Sequence, residues 1–132
     1  MTHFANKYIG CPWVAGAQGP GSFDCWGFAR YILKHEYGHD VPPVNINPDN
    51  LRDVLHAFKN DLAFQSFYEV VKPRDGDVVL MRQAKNPVHA GIWLDVDGGG
   101  VLHCCRNSGV VFQDVPSLNL CGLFLHSYYR VK

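Results

Sequence analysis

Hydrophobic residues recur at helical spacing in two stretches of the first half of the chain. The first stretch predicts a helix from about Asp24 to Tyr37 that ends at Gly38, a residue type typical of helix C-termini. The buried face of this helix consists of Cys25, Phe28, Ala29, Ile32 and Leu33. A second helix is predicted to open at Asn47 and to extend to about Gln65.

The second half of the chain changes to short apolar runs that are typical of strands. The predicted strands cover residues 67–71, 77–81, 89–96, 101–105, 110–112 and about 123–131. Turn signals such as Pro73-Arg74-Asp75-Gly76 and Asp97-Gly98-Gly99-Gly100 separate them. Helices followed by an antiparallel meander predict an α+β domain with its helices packed on one face of the sheet. The length favours a single domain that spans residues 1–132.

Composition and charge exclude some classes of binding partner for this protein. Hydrophobic residues make up 47% of the chain and charged residues 18%, as in compact globular proteins. Twelve basic and twelve acidic side chains give a formal net charge of zero, so no nucleic-acid partner is expected. No apolar run approaches the roughly 20 residues of a membrane span. Residues 1–7 lack the apolar core of an export signal, so we expect synthesis in the cytoplasm without a signal peptide.

Cys25 has the most unusual setting of the five cysteines. It follows a glycine-rich loop at residues 16–21 and opens the first helix, where Ser22 and Asp24 are both suitable capping residues. Unpaired N–H groups and the helix dipole at that position favour negative charge, which predicts a lowered thiol pKa and a populated thiolate. The alternative is that Cys25 is a small buried residue that anchors the helix. Without an export signal, all five cysteines are expected to be reduced.

Two of the seven histidines lie in predicted neighbouring strands. His89 is followed by Ala90 and Gly91, which are small enough for another group to pack closely. A buried imidazole at His103 would need a hydrogen-bond partner, and His89 is the nearest candidate. An odd-length loop or a glycine bulge near Asp97 would place both imidazoles on one face of the sheet, opposite each other or one step apart on the diagonal. The remaining histidines are expected to be solvated, capping or structural: His3, His35, His39, His56 and His126.

A thiolate, an imidazole that takes its proton and a polar group that orients the imidazole form a nucleophile–base–orienter triad. Three blocks of the sequence resemble the signature blocks of the NlpC family of papain-like cell-wall cysteine peptidases. They are Phe23-Asp24-Cys25-Trp26-Gly27, His89-Ala90-Gly91-Ile92 and Leu102-His103-Cys104. The segment from Pro73 to Val79 resembles the lead into the first central strand of that family.

The resemblance implies a papain-like fold, in which an N-terminal helix carries the nucleophile and packs on a central antiparallel sheet. It implies Cys25 as the nucleophile, His89 as the base and His103 as the orienter. The implied substrate is a peptidoglycan stem peptide, commonly cut between D-glutamate and a diamino acid, and neither a cofactor nor a metal is expected.

Three further residues are implied for the oxyanion site or the pocket. Trp13 stands where the family often has a tyrosine that faces the oxyanion, and its indole N–H could replace that donor. Trp26 stands where a serine is common, and Asp24 precedes the nucleophile.

The Asp-Cys-Trp-Gly form, together with the segment from Tyr37 to Pro42, most resembles tail-associated members of the family encoded by bacteriophages and prophages. This implies a virion-associated enzyme that acts in the cell wall or periplasm, with other tail or particle proteins as partners.

Three alternatives remain at the level of sequence. Cys25, His89, His103 and either Cys104 or Cys105 offer soft metal ligands, but no Cys-x-x-Cys or His-x-x-x-His spacing accompanies them, so no metal site is expected. An amidase, an acyltransferase or a deamidase could use the same triad, because the pocket decides between them. A tail-assembly module could also keep the fold with a degraded, non-catalytic site.

Overall fold

The computed structural model describes residues 3–41, 67–83 and 86–132. A 3-10 helix at Phe4–Lys7 precedes helix α1, Cys25–Tyr37. The later elements are β1 Phe67–Val70, β2 Val78–Gln83, β3 Asn86–Leu94, β4 Gly100–Cys105, β5 Gly109–Gln113, α2 Val115–Leu120 and β6 Phe124–Val131. The helix predicted between Asn47 and Gln65 lies outside the described residues.

The described strands form one antiparallel sheet in the order β1-β6-β2-β3-β4-β5. The predicted α+β class is confirmed, and strands β2 to β5 form the predicted meander. Strand β6 departs from a simple meander because it returns across the sheet and pairs with both β1 and β2.

Helix α1 begins and ends at residues suited to these positions. The carboxylate of Asp24 accepts a hydrogen bond from the backbone N–H of Gly27, so Asp24 and not Ser22 is the N-cap. Gly38 ends the helix with a φ of 73°, a left-handed conformation that favours glycine. Helix α1 lies against β3 and β4 and buries the predicted apolar face, including Phe28, Ile32 and Leu33. Burial of each such side chain stabilises the fold by about 1.5–3 kcal/mol.

Both faces of the sheet are covered, because successive strand residues point to opposite sides. In β2, Val78 and Leu80 join the core beneath α1, whereas Val79 and Met81 pack with Leu118 of α2 on the other side. The prediction that the helices occupy one face was therefore wrong. Helix α2 was not predicted. It has only six residues and buries one of them, which is too few to give a periodic apolar pattern.

The Pro73 to Val79 segment ties β2 to β6 through a bidentate ion pair. The Asp77 carboxylate is buried and accepts hydrogen bonds from Arg130 Nε at 2.9 Å and Arg130 Nη2 at 2.8 Å. The same carboxylate accepts a hydrogen bond from the backbone N–H of Arg74 and so closes the turn before β2. No helix in the described part of the chain is long and apolar enough to span a membrane.

Candidate active site

The thiol of Cys25 lies where the first turn of α1 meets strand β3. The backbone N–H groups of Ala90, Trp26 and Cys25 itself are near enough to the sulfur to lower the pKa of the thiol. Cys25 is only 4% exposed. The contact with Ala90 brings the thiol to the residue that follows His89 in the chain.

The acidity of this thiol differs from the sequence-based prediction. Burial, followed by the negative charge of Asp24, raises the pKa of Cys25 to about 11, although the three N–H groups lower it. The prediction of a lowered pKa and a populated thiolate was therefore wrong. Desolvation of the thiolate raises the pKa by more than the N–H groups at the helix N-terminus lower it. The negative charge of Asp24, which caps the helix, raises it further.

The two histidines lie on one face of the sheet, as predicted. Gly91 pairs with His103 across β3 and β4, so His89, two residues before Gly91, is one diagonal step from His103. The connecting loop has five residues, 95–99, between the paired Leu94 and Gly100, which confirms the odd-length prediction. His89 Nε2 lies 2.8 Å from His103 Nδ1.

Gly91 allows this close approach. A Cβ atom at Gly91 would lie 2.9 Å from the Cβ atom of His103 and 2.6 Å from Cγ1 of Val101. Gly91 therefore leaves room for His103 to pack against β3, in line with the expectation that the small residues after His89 let another group pack closely.

Gln113, at the end of β5, extends the pair to a chain of three side chains. Its Oε1 atom lies 2.9 Å from His103 Nε2, and its Nε2 atom donates to Cys121 Sγ at 3.5 Å. Since Oε1 can only accept, His103 carries its proton on Nε2 and offers Nδ1 as an acceptor to the Nε2–H of His89. Sequence reasoning missed Gln113, because only the pairing of β4 with β5 places it on the same face as His103.

Both imidazoles are neutral at neutral pH. Burial, with a smaller contribution from His103, lowers the pKa of His89 to about 3. Burial also lowers the pKa of His103 to about 4, against the opposing effect of the hydrogen bond to Gln113. The neutral form suits a general base, which must have a lone pair available.

The described contacts of His89 leave Nδ1 as the ring nitrogen available to Cys25. The hydrogen bonds among the described residues include the His89–His103 contact but none between the Cys25 thiol and His89. Catalytic hydrogen bonds are often long before substrate binds. The structure thus brings His89 and His103 together and places Cys25 beside Ala90.

The predicted pocket residues have different surroundings. Trp13 is half-buried, and the Cζ atom of Arg106 lies 4.9 Å from its ring centre. Trp26 is buried in the core beneath α1. The Asp24 carboxylate caps helix α1 by accepting a hydrogen bond from the Gly27 N–H. The backbone N–H of Asp24 donates to Ala17 O at 3.0 Å. Their roles at an oxyanion remain predictions.

Cys105, which the sequence offered as an alternative to Cys104 among the soft metal ligands, lies beside His103. Its Sγ atom lies 3.2 Å from His103 Nδ1, the atom that also contacts His89. The ligand atoms of His89, His103 and Cys105 all lie within 4.8 Å of one another, and they form the only such group of three among the described residues.

The model of the NlpC/P60 family matches residues 10–119, which include Cys25, His89 and His103. The chain belongs to the NlpC/P60 family. The resemblance to this family is confirmed over most of the chain, and the match spans the loop before α1, the histidine-bearing strands and α2.

Two curated relatives share this domain. The chain is 25% identical over 127 residues to a probable endopeptidase p60 of Listeria grayi, covering 96% of the chain and 21% of the relative. It is 49% identical over 99 residues to protein P54 of Enterococcus faecium, covering 75% of the chain and 16% of the relative. The chain thus spans about a fifth or less of the length of the curated relatives it matches.

Solved structures share the fold. The NlpC/p60 domain of the peptidoglycan hydrolase SagA aligns with a TM-score of 0.61 at 23% identity, covering 97% of this chain and 92% of that one. NlpC2 of Trichomonas vaginalis aligns with a TM-score of 0.63 at 16% identity, covering 94% of this chain and 43% of that one. These matches confirm the papain-like fold, with Cys25 on its helix and one antiparallel sheet.

Proposed function

We propose that the protein is a cysteine peptidase that hydrolyses peptide bonds in the stem peptides of peptidoglycan. The observation that carries the proposal is the placement of Cys25 at the start of α1, against the strand whose His89 contacts His103 at 2.8 Å. Membership of the NlpC/P60 family and the likeness to a probable endopeptidase and a peptidoglycan hydrolase support the same substrate class.

In the proposed mechanism, Cys25 Sγ attacks the carbonyl carbon of the scissile bond while His89 accepts the thiol proton. The Cys25 thiol and the His89 imidazole are both neutral at rest, so proton transfer accompanies the attack and does not precede it. His89 then gives the proton to the leaving amine, and a thioester forms between Cys25 and the acyl part of the substrate. A water molecule, deprotonated by His89, attacks the thioester, releasing the carboxylate product and restoring the thiol.

His103 and Gln113 support the base in this scheme. The imidazolium that forms on His89 donates from Nε2 to His103 Nδ1, which stabilises the positive charge as it develops. Gln113 holds His103 in the tautomer that can accept this hydrogen bond. The backbone N–H of Cys25, at the helix N-terminus, is a candidate donor to the oxyanion.

The finer assignments extend this proposal. We propose cleavage between D-glutamate and a diamino acid, as the sequence resemblance implies. A bacteriophage or prophage tail, with other tail proteins as partners and the cell wall as the place of action, stays a prediction from the sequence.

Digestion of purified peptidoglycan followed by mass spectrometry of the soluble muropeptides tests the proposal. We expect the wild type to release stem-peptide fragments with a new amino terminus, and Cys25→Ala to release none. Cys121→Ala, which removes an exposed thiol, is the control and should retain activity. Release of intact stem peptides from the sugar would assign an amidase, and exchange onto an added amine would assign an acyltransferase. Fragment release by Cys25→Ala would contradict the nucleophile assignment.

A further inference from the structure

Three Lewis-basic side chains converge behind the proposed base. His89 Nε2 lies 2.8 Å from His103 Nδ1, and Cys105 Sγ lies 3.2 Å from that same nitrogen. The ligand atoms of the three residues are all within 4.8 Å of one another. His103 Nδ1 has one lone pair, and two potential donors compete for it.

The geometry points to a binding site for a divalent zinc ion formed by His89, His103 and Cys105, and we propose that zinc bound there inhibits the enzyme. Two imidazole nitrogens and one thiolate are the donor set that suits zinc, and hard cations such as Mg²⁺ or Ca²⁺ prefer oxygen ligands. Three protein ligands leave the fourth tetrahedral position to water.

Gln113 supplies the support that a zinc-binding histidine usually has. Histidine ligands almost always donate their second ring N–H to an oxygen acceptor, which fixes the tautomer and the ring plane. His103 Nε2 lies 2.9 Å from Gln113 Oε1, so Nδ1 faces the cluster with its lone pair free of a proton. This arrangement is present before any ion binds.

The fit requires the His89 and Cys105 ligand atoms, which lie within 4.8 Å of each other, to approach by up to about an ångström. Zinc bond lengths of about 2.3 Å to sulfur and about 2.0 Å to nitrogen imply ligand separations of roughly 3.3–3.6 Å. The two observed contacts of 2.8 and 3.2 Å would open by about half an ångström, which the side chains of His89 and Cys105 can supply by rotation because both are partly exposed.

The proton balance explains inhibition. Zinc binding releases the Cys105 thiol proton to solvent, because the thiolate is the ligand. His89 must coordinate through Nε2, so its proton, which lies on Nε2 in the free protein, moves to Nδ1. A ring protonated on Nδ1 and bound to metal through Nε2 has no lone pair with which to accept the Cys25 proton. The inhibition rests on the proposed function, whereas the metal binding does not.

Metal binding is tested first, without activity. We expect the purified, reduced wild type to bind about one equivalent of Zn²⁺ and to show thiolate-to-metal charge transfer with Co²⁺. Cys105→Ser should weaken Zn²⁺ binding by at least tenfold, since even loss of a supporting contact costs about that much. Cys11→Ser is the matched control, because Cys11 is also half-buried, and it should bind like the wild type. Cys25→Ala should also bind like the wild type.

The outcomes are distinct. Absence of binding by the wild type, or unchanged binding by Cys105→Ser, would overturn the site. Loss of binding in Cys25→Ala would place the ion at the nucleophile instead and would overturn it too. Should Cys105→Ser fold poorly by circular dichroism, Cys105→Ala serves as the second variant, with the same expected weakening.

Inhibition is then measured with the peptidoglycan digest. We expect Zn²⁺ at saturation to abolish fragment release by the wild type and to leave Cys105→Ser at least tenfold less sensitive. Equal sensitivity of the two proteins would refute the inhibitory role of this site. If no protein releases fragments, the proposed function fails, and the metal-binding result still decides the site.

Discussion

His89 Nε2 lies 2.8 Å from His103 Nδ1, one diagonal step apart on neighbouring antiparallel strands. This contact links His89, which precedes the Ala90 that lies beside the Cys25 thiol, to a second imidazole that is itself held by Gln113. His89, His103 and Gln113 therefore form a chain of hydrogen bonds. Gln113 determines which atom of each pair donates and which accepts.

The first prediction concerns His103 as the orienter. His103→Ala should lower kcat for peptidoglycan fragment release by about a hundredfold, because His89 loses the acceptor that stabilises its protonated form. KM should change little. His103→Asn should recover part of the activity, since its amide oxygen can accept the same hydrogen bond. His126→Gln, at an exposed histidine, is the control, and an unaltered kcat in His103→Ala would refute the role.

The second prediction concerns Gln113. Gln113→Leu should lower kcat by about five- to tenfold, because His103 is no longer held in one tautomer. This loss corresponds to one neutral hydrogen bond, which contributes about 1 kcal/mol. Gln113→Glu should raise the pKa of His103 and move the acidic limb of the pH–rate profile to higher pH. Cys121→Ala removes the other side-chain contact of Gln113 and should leave the profile in place. Identical profiles for all three variants would contradict the prediction.

The third prediction is a loss of stability in mild acid. The pKa of His89 is lowered to about 3 and that of His103 to about 4, so between pH 4 and 6.5 the unfolded chain binds more protons at these rings than the folded protein does. The free energy of unfolding should therefore fall as pH falls through this range, by up to about 1.4 kcal/mol per pH unit for each ring. Urea unfolding at pH 7 and pH 5 measures this change.

A variant isolates the contribution of the site to this acid sensitivity. His103→Gln should show a shallower decline between pH 7 and pH 5, whereas His39→Gln, at an exposed residue, should decline like the wild type. Equal unfolding free energies of the wild type at the two pH values would contradict the assignment of both rings as neutral.

The fourth prediction concerns the charge beside the nucleophile. Asp24→Asn retains a good N-cap but removes the negative charge that helps to raise the pKa of Cys25, so that pKa should fall. Alkylation of Cys25 by iodoacetamide at pH 9 should become severalfold faster. At pH 7 the buried thiol of the wild type should react more slowly than the exposed Cys121. Asp24→Ala, which also loses the cap, should in addition lose about 1 kcal/mol of stability.

The fifth prediction concerns Gly91. Gly91→Ala places a methyl group 2.9 Å from the His103 Cβ atom and 2.6 Å from Val101 Cγ1, so it should destabilise the protein by about 1–3 kcal/mol and displace His103. Thermal unfolding and fragment release should both be impaired. Gly21→Ala is the control, because a Cβ atom there meets no heavy atom within 4 Å. Equal melting temperatures for the two variants would refute the steric role.

Much of the fold was readable from local patterns. The cap at Asp24, the stop at Gly38 and the apolar spacing between them predicted α1 nearly to the residue, because these signals act within one turn of helix. His89 and His103 share one face of the sheet, as predicted, since the side chains of a strand alternate faces with a period of two. The short α2 and the return of β6 between β1 and β2 were missed, because strand order depends on contacts between distant parts of the chain.

The sequence by itself determined the family, the helix that carries Cys25 and the shared face of the two histidines, since these follow from motifs, caps and strand parity. Tertiary structure alone decided the pKa of Cys25, because burial and the Asp24 charge outweigh the helix N-terminus only after the strands cover the thiol. It alone brought Gln113 and Cys105 to His103, through the pairing of β4 with β5 and the local geometry of the strand. Distances between side chains from separate strands depend on register and packing, which no local pattern encodes.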